Sequence, residues 1–169
     1  MQASAVTVEP RLLALLPQPV FADAWSLPCA AAPDARQAAL AIFNTTPAWV
    51  GALMALRNTL MRPFKLKTDL LLLPAPRGRI GMFPVLEETP QEMLMGLDDR
   101  HLDFRLSVSV RPAAAGVRSL TITTVVHTHN RLGRLYLAAI LPFHRLIARR
   151  LLLRAVRRLG RLPPQVKTL

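Results

Sequence analysis

The sequence predicts an α+β fold: a curved antiparallel sheet covered by a long C-terminal helix, with two shorter helices after the first strand. Three observations predict it. Apolar and polar residues alternate with a period of two between about Gly81 and His127. The period turns helical from Arg131 to about Gly160, and the stretch from Asp34 to Met61 carries two helix starts. Helices before and after an antiparallel sheet form layers, and the last helix is the natural cover for the sheet's apolar face.

Each element has a local reason. Phe21 to Leu27 alternates loosely enough for a first strand. Asp34 can cap a helix running to about Phe43, and Thr46 followed by Pro47 starts a second through about Met61, whose apolar residues Trp49, Val50, Leu53, Met54, Leu60 and Met61 recur at helical spacing. Met82 to Glu87 and Glu92 to Leu97 read as short strands. Leu102, Phe104, Leu106, Val108 and Val110 then alternate with Asp103, Arg105, Ser107, Ser109 and Arg111. After a turn over Pro112 to Gly116, Leu120, Ile122 and Val126 alternate with polar neighbours. Both apolar sets carry even numbers, so the hairpin must keep even opposite even, because a one-residue slip would turn one apolar face into water. Pro142 should kink or divide the final helix. Residues 1–16 read as a flexible N-terminal segment, 17–160 as one domain, and 161–169, with Pro163 and Pro164, as a tail.

Composition excludes several classes. The 169 residues are 51% hydrophobic, with a mean hydropathy of +0.29, so a core rather than a disordered chain is expected. No apolar run approaches the roughly 18 residues that a bilayer span requires. Met1 to Pro10 carries Glu9 and no basic run of the kind that opens a signal peptide, so a cytoplasmic protein is expected. A single cysteine, Cys29, permits neither an internal disulfide nor a cysteine-based metal site. No cofactor is expected: Arg77-Gly78-Arg79-Ile80-Gly81 lacks the phosphate-loop pattern and reads as a turn into a strand, and no serine sits in a nucleophile elbow.

The net charge of +12 is unevenly placed. Residues 1–103 hold nine basic and all ten acidic residues, whereas 104–169 hold thirteen basic residues and no acid. Any anionic partner would therefore meet the C-terminal third. On the last helix Arg131, Arg134, Arg145 and Arg149 share one side, and Arg150, Arg154, Arg157, Arg158 and Arg161 lie roughly opposite. Either the helix bends near Arg149, or the turns from Leu151 to Leu162 leave the domain as a basic amphipathic segment with Leu152, Val156 and Leu159 on its apolar side. Such a segment would suit an anionic membrane surface or a protein partner. Nucleic acid is disfavoured, since the arginines have no interleaved aromatics and no recognised binding motif.

Gly96-Leu97-Asp98-Asp99-Arg100-His101-Leu102-Asp103-Phe104-Arg105, His127-Thr128-His129-Asn130-Arg131-Leu132-Gly133-Arg134-Leu135-Tyr136 and Pro142-Phe143-His144-Arg145 carry a resemblance. Over about residues 20 to 155 the chain resembles a bacterial domain family of unknown function, the one numbered 2867. That family in turn is similar to the helix-grip (START-like, SRPBCC) superfamily of lipid carriers, polyketide cyclases and aromatases, and coenzyme Q-binding proteins. The resemblance implies a cavity between sheet and C-terminal helix that holds an apolar or amphipathic small molecule. The sequence shows fewer strands than is usual there, which implies a reduced cavity.

Three sets of residues are candidates for function. Trp49, Met54, Phe104, Leu106, Leu120, Ile122, Val126, Tyr136 and Phe143 would form the walls of a cavity or a solid core, and periodicity does not separate the two. With a hairpin turn centred near Ala114, His101 would face His127 and Asp99 would face His129. That cluster has the residue types of an acid/base pair or a metal site, on a face that should be wet, or of a clamp at the junction into the last helix. Arg150, Arg154, Arg157, Arg158 and Arg161 are the candidate anionic-surface residues.

Overall fold

The computed structural model describes residues 2–31, 33–44, 75–113 and 116–160. In chain order the elements are β1 (Ser4–Ala5), α1 (Pro10–Leu13), β2 (Phe21–Cys29), α2 (Ala35–Phe43), β3 (Arg79–Ile80), β4 (Phe83–Glu88), β5 (Glu92–Asp98), β6 (Leu102–Pro112), β7 (Arg118–Thr128) and α3 (Arg131–Leu159). The strands form one antiparallel sheet in the order β1-β2-β7-β6-β5-β4-β3, with α3 across it, a helix-grip-like α+β arrangement. Seven strands are present among the described residues, more than alternation revealed. β1 and β3 are only two residues long, too short to show a period. The second helix expected over 47–61 lies outside the described residues, as does the tail 161–169.

Local chemistry starts each long helix where capping predicts. Asp34 accepts a hydrogen bond from the Gln37 backbone N–H at 2.7 Å, and Gln37 accepts one from the Asp34 N–H in return, so α2 begins with a capping box. Arg36 on α2 grips Glu88 on β4, and this pairing holds the Glu88 carboxyl below the usual carboxylate range. Asn130 caps α3 by accepting from the Gly133 N–H at 2.9 Å. α3 passes through Pro142 without ending. Pro142 and Ala138 are both exposed, so water can serve the Ala138 carbonyl that loses its helical partner.

The β6–β7 hairpin keeps even opposite even, but its register differs by two from the one expected. Phe104 pairs with Val126, and Asp103 with His127. Closure is by a hydrogen bond from the Ala113 N–H to the Val117 carbonyl at 2.8 Å, with Gly116 at φ +72°, which centres the turn one residue later. Even residues of β6 and β7 and odd residues of β2 and β5 face α3.

That inward face is filled unequally. At one end Leu27, Cys29, Met93, Val108, Val110, Leu120 and Ile122 pack against Ala35, Ala38, Ala39 and Ile42 of α2 and Leu151, Leu152, Ala155, Val156 and Leu159 of α3. These burials correct one expectation. The last turns of α3 do not leave the domain; Leu152, Val156 and Leu159 are core, and only their arginines are outside.

The outer face of the sheet is not simply wet. Leu12 and Leu16 bury against Leu94 and Val125, with Val8, Leu13, Leu15, Ala22 and Leu86 around them, and Arg11 pairs with Glu92. The first sixteen residues are therefore not a free end over their described part. β1 joins the sheet edge through β2, and α1 covers apolar positions of β5 and β7 that would otherwise meet water.

Candidate functional site

Where the first half of α3 crosses the sheet, the packing opens. A cavity of about 220 Å³ lies between the helix residues Tyr136, Leu137, Ile140, Leu141 and His144 and the sheet residues Phe21, Phe83, Leu97, Leu102, Phe104, Leu106, Thr124 and Val126, with Asp99 also in its lining. The reason lies in the split of the inward face. α2 and the second half of α3 fill the far end of the sheet, and the 131–144 stretch spans the near end without α2 beneath it. Phe43, Phe83 and Phe104 meet edge to face at 5.1 and 5.9 Å between ring centres, which stiffens one wall.

The polar groups of the cavity are few and placed. His144 Nε2 lies 3.3 Å from Oδ1 of Asp23, whose Oδ2 accepts from Trp25 Nε1 at 2.9 Å, and the imidazole and Phe21 rings stand edge to face. A neutral imidazole that donates from Nε2 to Asp23 keeps Nδ1 as an acceptor, and a protonated one donates from both. Thr124 is 7% exposed, and its Oγ1 has no hydrogen-bond partner among the described residues. Arg149 stacks over the Trp25 ring at 5.0 Å and so pins α3 to β2 one turn beyond His144.

Of the expected wall residues, Phe104, Leu106, Val126 and Tyr136 line the cavity. Leu120 and Ile122 do not; they sit in the solid core, 0% and 3% exposed, because the strand end that carries them faces α2 and the end of α3. Phe143 points away from the cavity and is 52% exposed. Trp49 and Met54 lie outside the described residues. The Asp23–His144 pair was not found by sequence reasoning. Its one signal is parity: Asp23 shares odd numbering with the inward Phe21, Trp25 and Leu27.

The Asp/His residues gather at the other end of the hairpin, in a different pairing from the one expected. His129 Nε2 is 2.9 Å from Asp103 Oδ1, the His127 and His129 rings meet edge to face at 4.9 Å, and His127 Nδ1 lies 3.2 Å from the Gln18 carbonyl. His101 faces neither His127 nor a carboxylate. Its Nδ1 lies 3.0 Å from Asn130 Nδ2, and its carbonyl accepts from the His129 N–H at 2.9 Å. Asp99 does not face His129; its Oδ1 accepts from the Arg100 N–H at 2.7 Å. These bonds tie the β5–β6 turn, the end of β7 and the cap of α3 to one another. Among the described residues no group of three or more His, Cys, Asp or Glu is arranged to hold a metal ion.

Arg150, Arg154, Arg157 and Arg158 are exposed along the second half of α3, and Arg161 lies outside the described residues. Among the described residues no helix is long and apolar enough to cross a membrane.

No curated protein and no solved structure matches the chain. A family does, over residues 15–151, a span that takes in the sheet from β2 onward, the cavity and most of α3. The chain belongs to that family, described as a protein of unknown function (DUF2867).

Proposed function

We propose that the protein binds an apolar or amphipathic small molecule in the cavity between the sheet and the first half of α3. The observation that carries this reading is the combination of an apolar chamber with one oriented imidazole in its wall, His144 held by Asp23. Binding sites are mostly apolar with a small number of placed polar groups. The unpartnered Thr124 hydroxyl supports the same reading, since a buried polar group left without a partner is costly. An apolar cavity of roughly 150 Å³ is enough for benzene, so about 220 Å³ suits a substituted ring or a short branched chain. One hydroxyl or carboxyl on such a molecule would meet His144.

The test is native mass spectrometry of the full chain purified from its own cells, followed by melting curves with a panel of small aromatic and short-chain alcohols and acids. The expected result is a released organic molecule, and stabilisation by panel members that Leu106→Trp abolishes by filling the cavity. No released molecule together with no stabilisation would overturn the reading, as would equal stabilisation of wild type and Leu106→Trp. The enzyme reading through Asp99, His101, His127 and His129 gains no support from the geometry, because the expected pairs do not form: His129 bonds to Asp103, His101 to Asn130 and Asp99 to the Arg100 N–H.

A further inference from the structure

We propose that the outward face of α3 docks on an anionic lipid surface. Leu135, Phe143 and Leu146 are 70%, 52% and 46% exposed, and Ala138, Ala139 and Pro142, between them on the same side, are exposed as well. At about 100° per residue the three large side chains fall within about 80° of one another. They span roughly 16 Å along the axis. The inward side of the same helical stretch lines the cavity, so among the described residues the outer stripe takes no part in closing the fold.

Charge decides what this stripe faces. Arg131, Arg134 and Arg145 lie along one edge of it, and Arg150 and Arg154 continue it beyond its C-terminal end; all five are exposed. No acidic residue occurs anywhere from 104 to 169. A second copy would be a poor occupant, since an antiparallel two-fold pairing through this face sets the arginine edge against its own counterpart, with no carboxylate on this helix to offset it. Nucleic acid would leave the Leu135 and Leu146 side chains without a role, and only one aromatic, Phe143, is on the stripe. Apolar residues bordered by arginines along one edge and at the C-terminal end match a helix lying in the plane of an anionic bilayer, with Phe and Leu among the acyl chains and guanidinium groups at the phosphates. The helix lies on the surface and does not cross it.

Co-sedimentation of the full chain with vesicles of phosphatidylcholine alone, and with about 30% phosphatidylglycerol added, tests this. Binding at least about tenfold tighter to the anionic vesicles, falling as salt is raised, is expected. Leu135→Ser combined with Phe143→Ser should lose that binding with an unchanged melting temperature, and Arg145→Glu combined with Arg150→Glu should lose it at low salt. Equal binding to both vesicle types, no binding to either, or full binding by the double serine variant would overturn the proposal. So would a wild-type dimer that becomes a monomer in that variant, which would assign the stripe to a second copy, or a large fall in its melting temperature, which would assign it to the chain's own packing. The protein's cavity ligand plays no part in these measurements, so their failure leaves the cavity reading untouched.

Discussion

Nε2 of His144 on α3 lies 3.3 Å from Oδ1 of Asp23 on β2, across 121 positions of chain. The contact joins the helix to the sheet and orients the imidazole in the cavity wall. Asp23 also takes the indole N–H of Trp25, so one carboxylate at 14% side-chain exposure serves two rings.

Asp23→Ala leaves the Trp25 N–H and the His144 imidazole without their acceptor. The expected cost is about 1–3 kcal/mol, the usual penalty for stranding a buried partner. In a chain of this size that lowers the melting temperature by about 2–4 °C per kcal/mol. Asp23→Asn keeps an acceptor oxygen and should lose clearly less. Thermal unfolding of the two variants side by side decides it: equal losses would show that acceptance by Asp23 contributes nothing.

Gly133 permits the closest backbone approach in the protein's helix junction. A Cβ there would stand 2.1 Å from the His101 carbonyl oxygen, which already accepts from the His129 N–H and cannot swing aside. Gly133→Ala should therefore destabilise by about 1–3 kcal/mol, the range for overpacking. Gly160→Ala, where the nearest atom is 3.4 Å away, should stay within about 0.5 kcal/mol of wild type. Denaturant melts of both variants check the contrast, and an unperturbed Gly133→Ala would mean that α3 can start elsewhere.

Cys29 gives a pH prediction. It is 1% exposed, and burial pushes its thiol pKa up despite an opposing backbone hydrogen bond at Ala31. The folded chain keeps the proton at a pH where the unfolded thiol has lost it, so this stability is present below about pH 8.5 and is lost as pH rises above it. Unfolding free energy should fall between about pH 8 and pH 10 in wild type, and fall less steeply in Cys29→Ala. A thiol reagent should label the native protein only as fast as it opens. Rapid labelling of the folded chain would contradict the burial argument.

What could be read from the sequence was what a short period encodes. Even-numbered Leu102 to Val110 and Leu120 to Val126 announced a hairpin and its inward face, and Asp34 announced the start of α2. The two-residue shift of register was not legible, because it depends on how Gly116 and the Ala113–Val117 bond close the turn. Leu12 and Leu16 gave no sign of their role, since a four-residue helix shows no period, and the outer-face Leu94 and Val125 that they cover broke the expected alternation. Parity also could not separate Leu106 and Val126, beside the cavity, from Leu120 and Ile122 in the core. That difference is made by which part of α3 and whether α2 lies above each strand end.

That division of one face between core and cavity is itself measurable. Leu120 is fully buried among well-packed neighbours, so Leu120→Ala should cost about 2–5 kcal/mol. Phe104 is half-buried and borders open space, so Phe104→Ala removes fewer contacts than a fully packed phenylalanine would and enlarges a cavity that already exists. Its cost should fall below the roughly 3–5 kcal/mol typical of buried aromatic truncation, although it deletes the larger side chain. The same variant should admit bulkier molecules from the small-molecule panel. A Phe104→Ala loss exceeding that of Leu120→Ala would mean that the near end of the sheet is packed as tightly as the far end, and that the chamber is closed in solution.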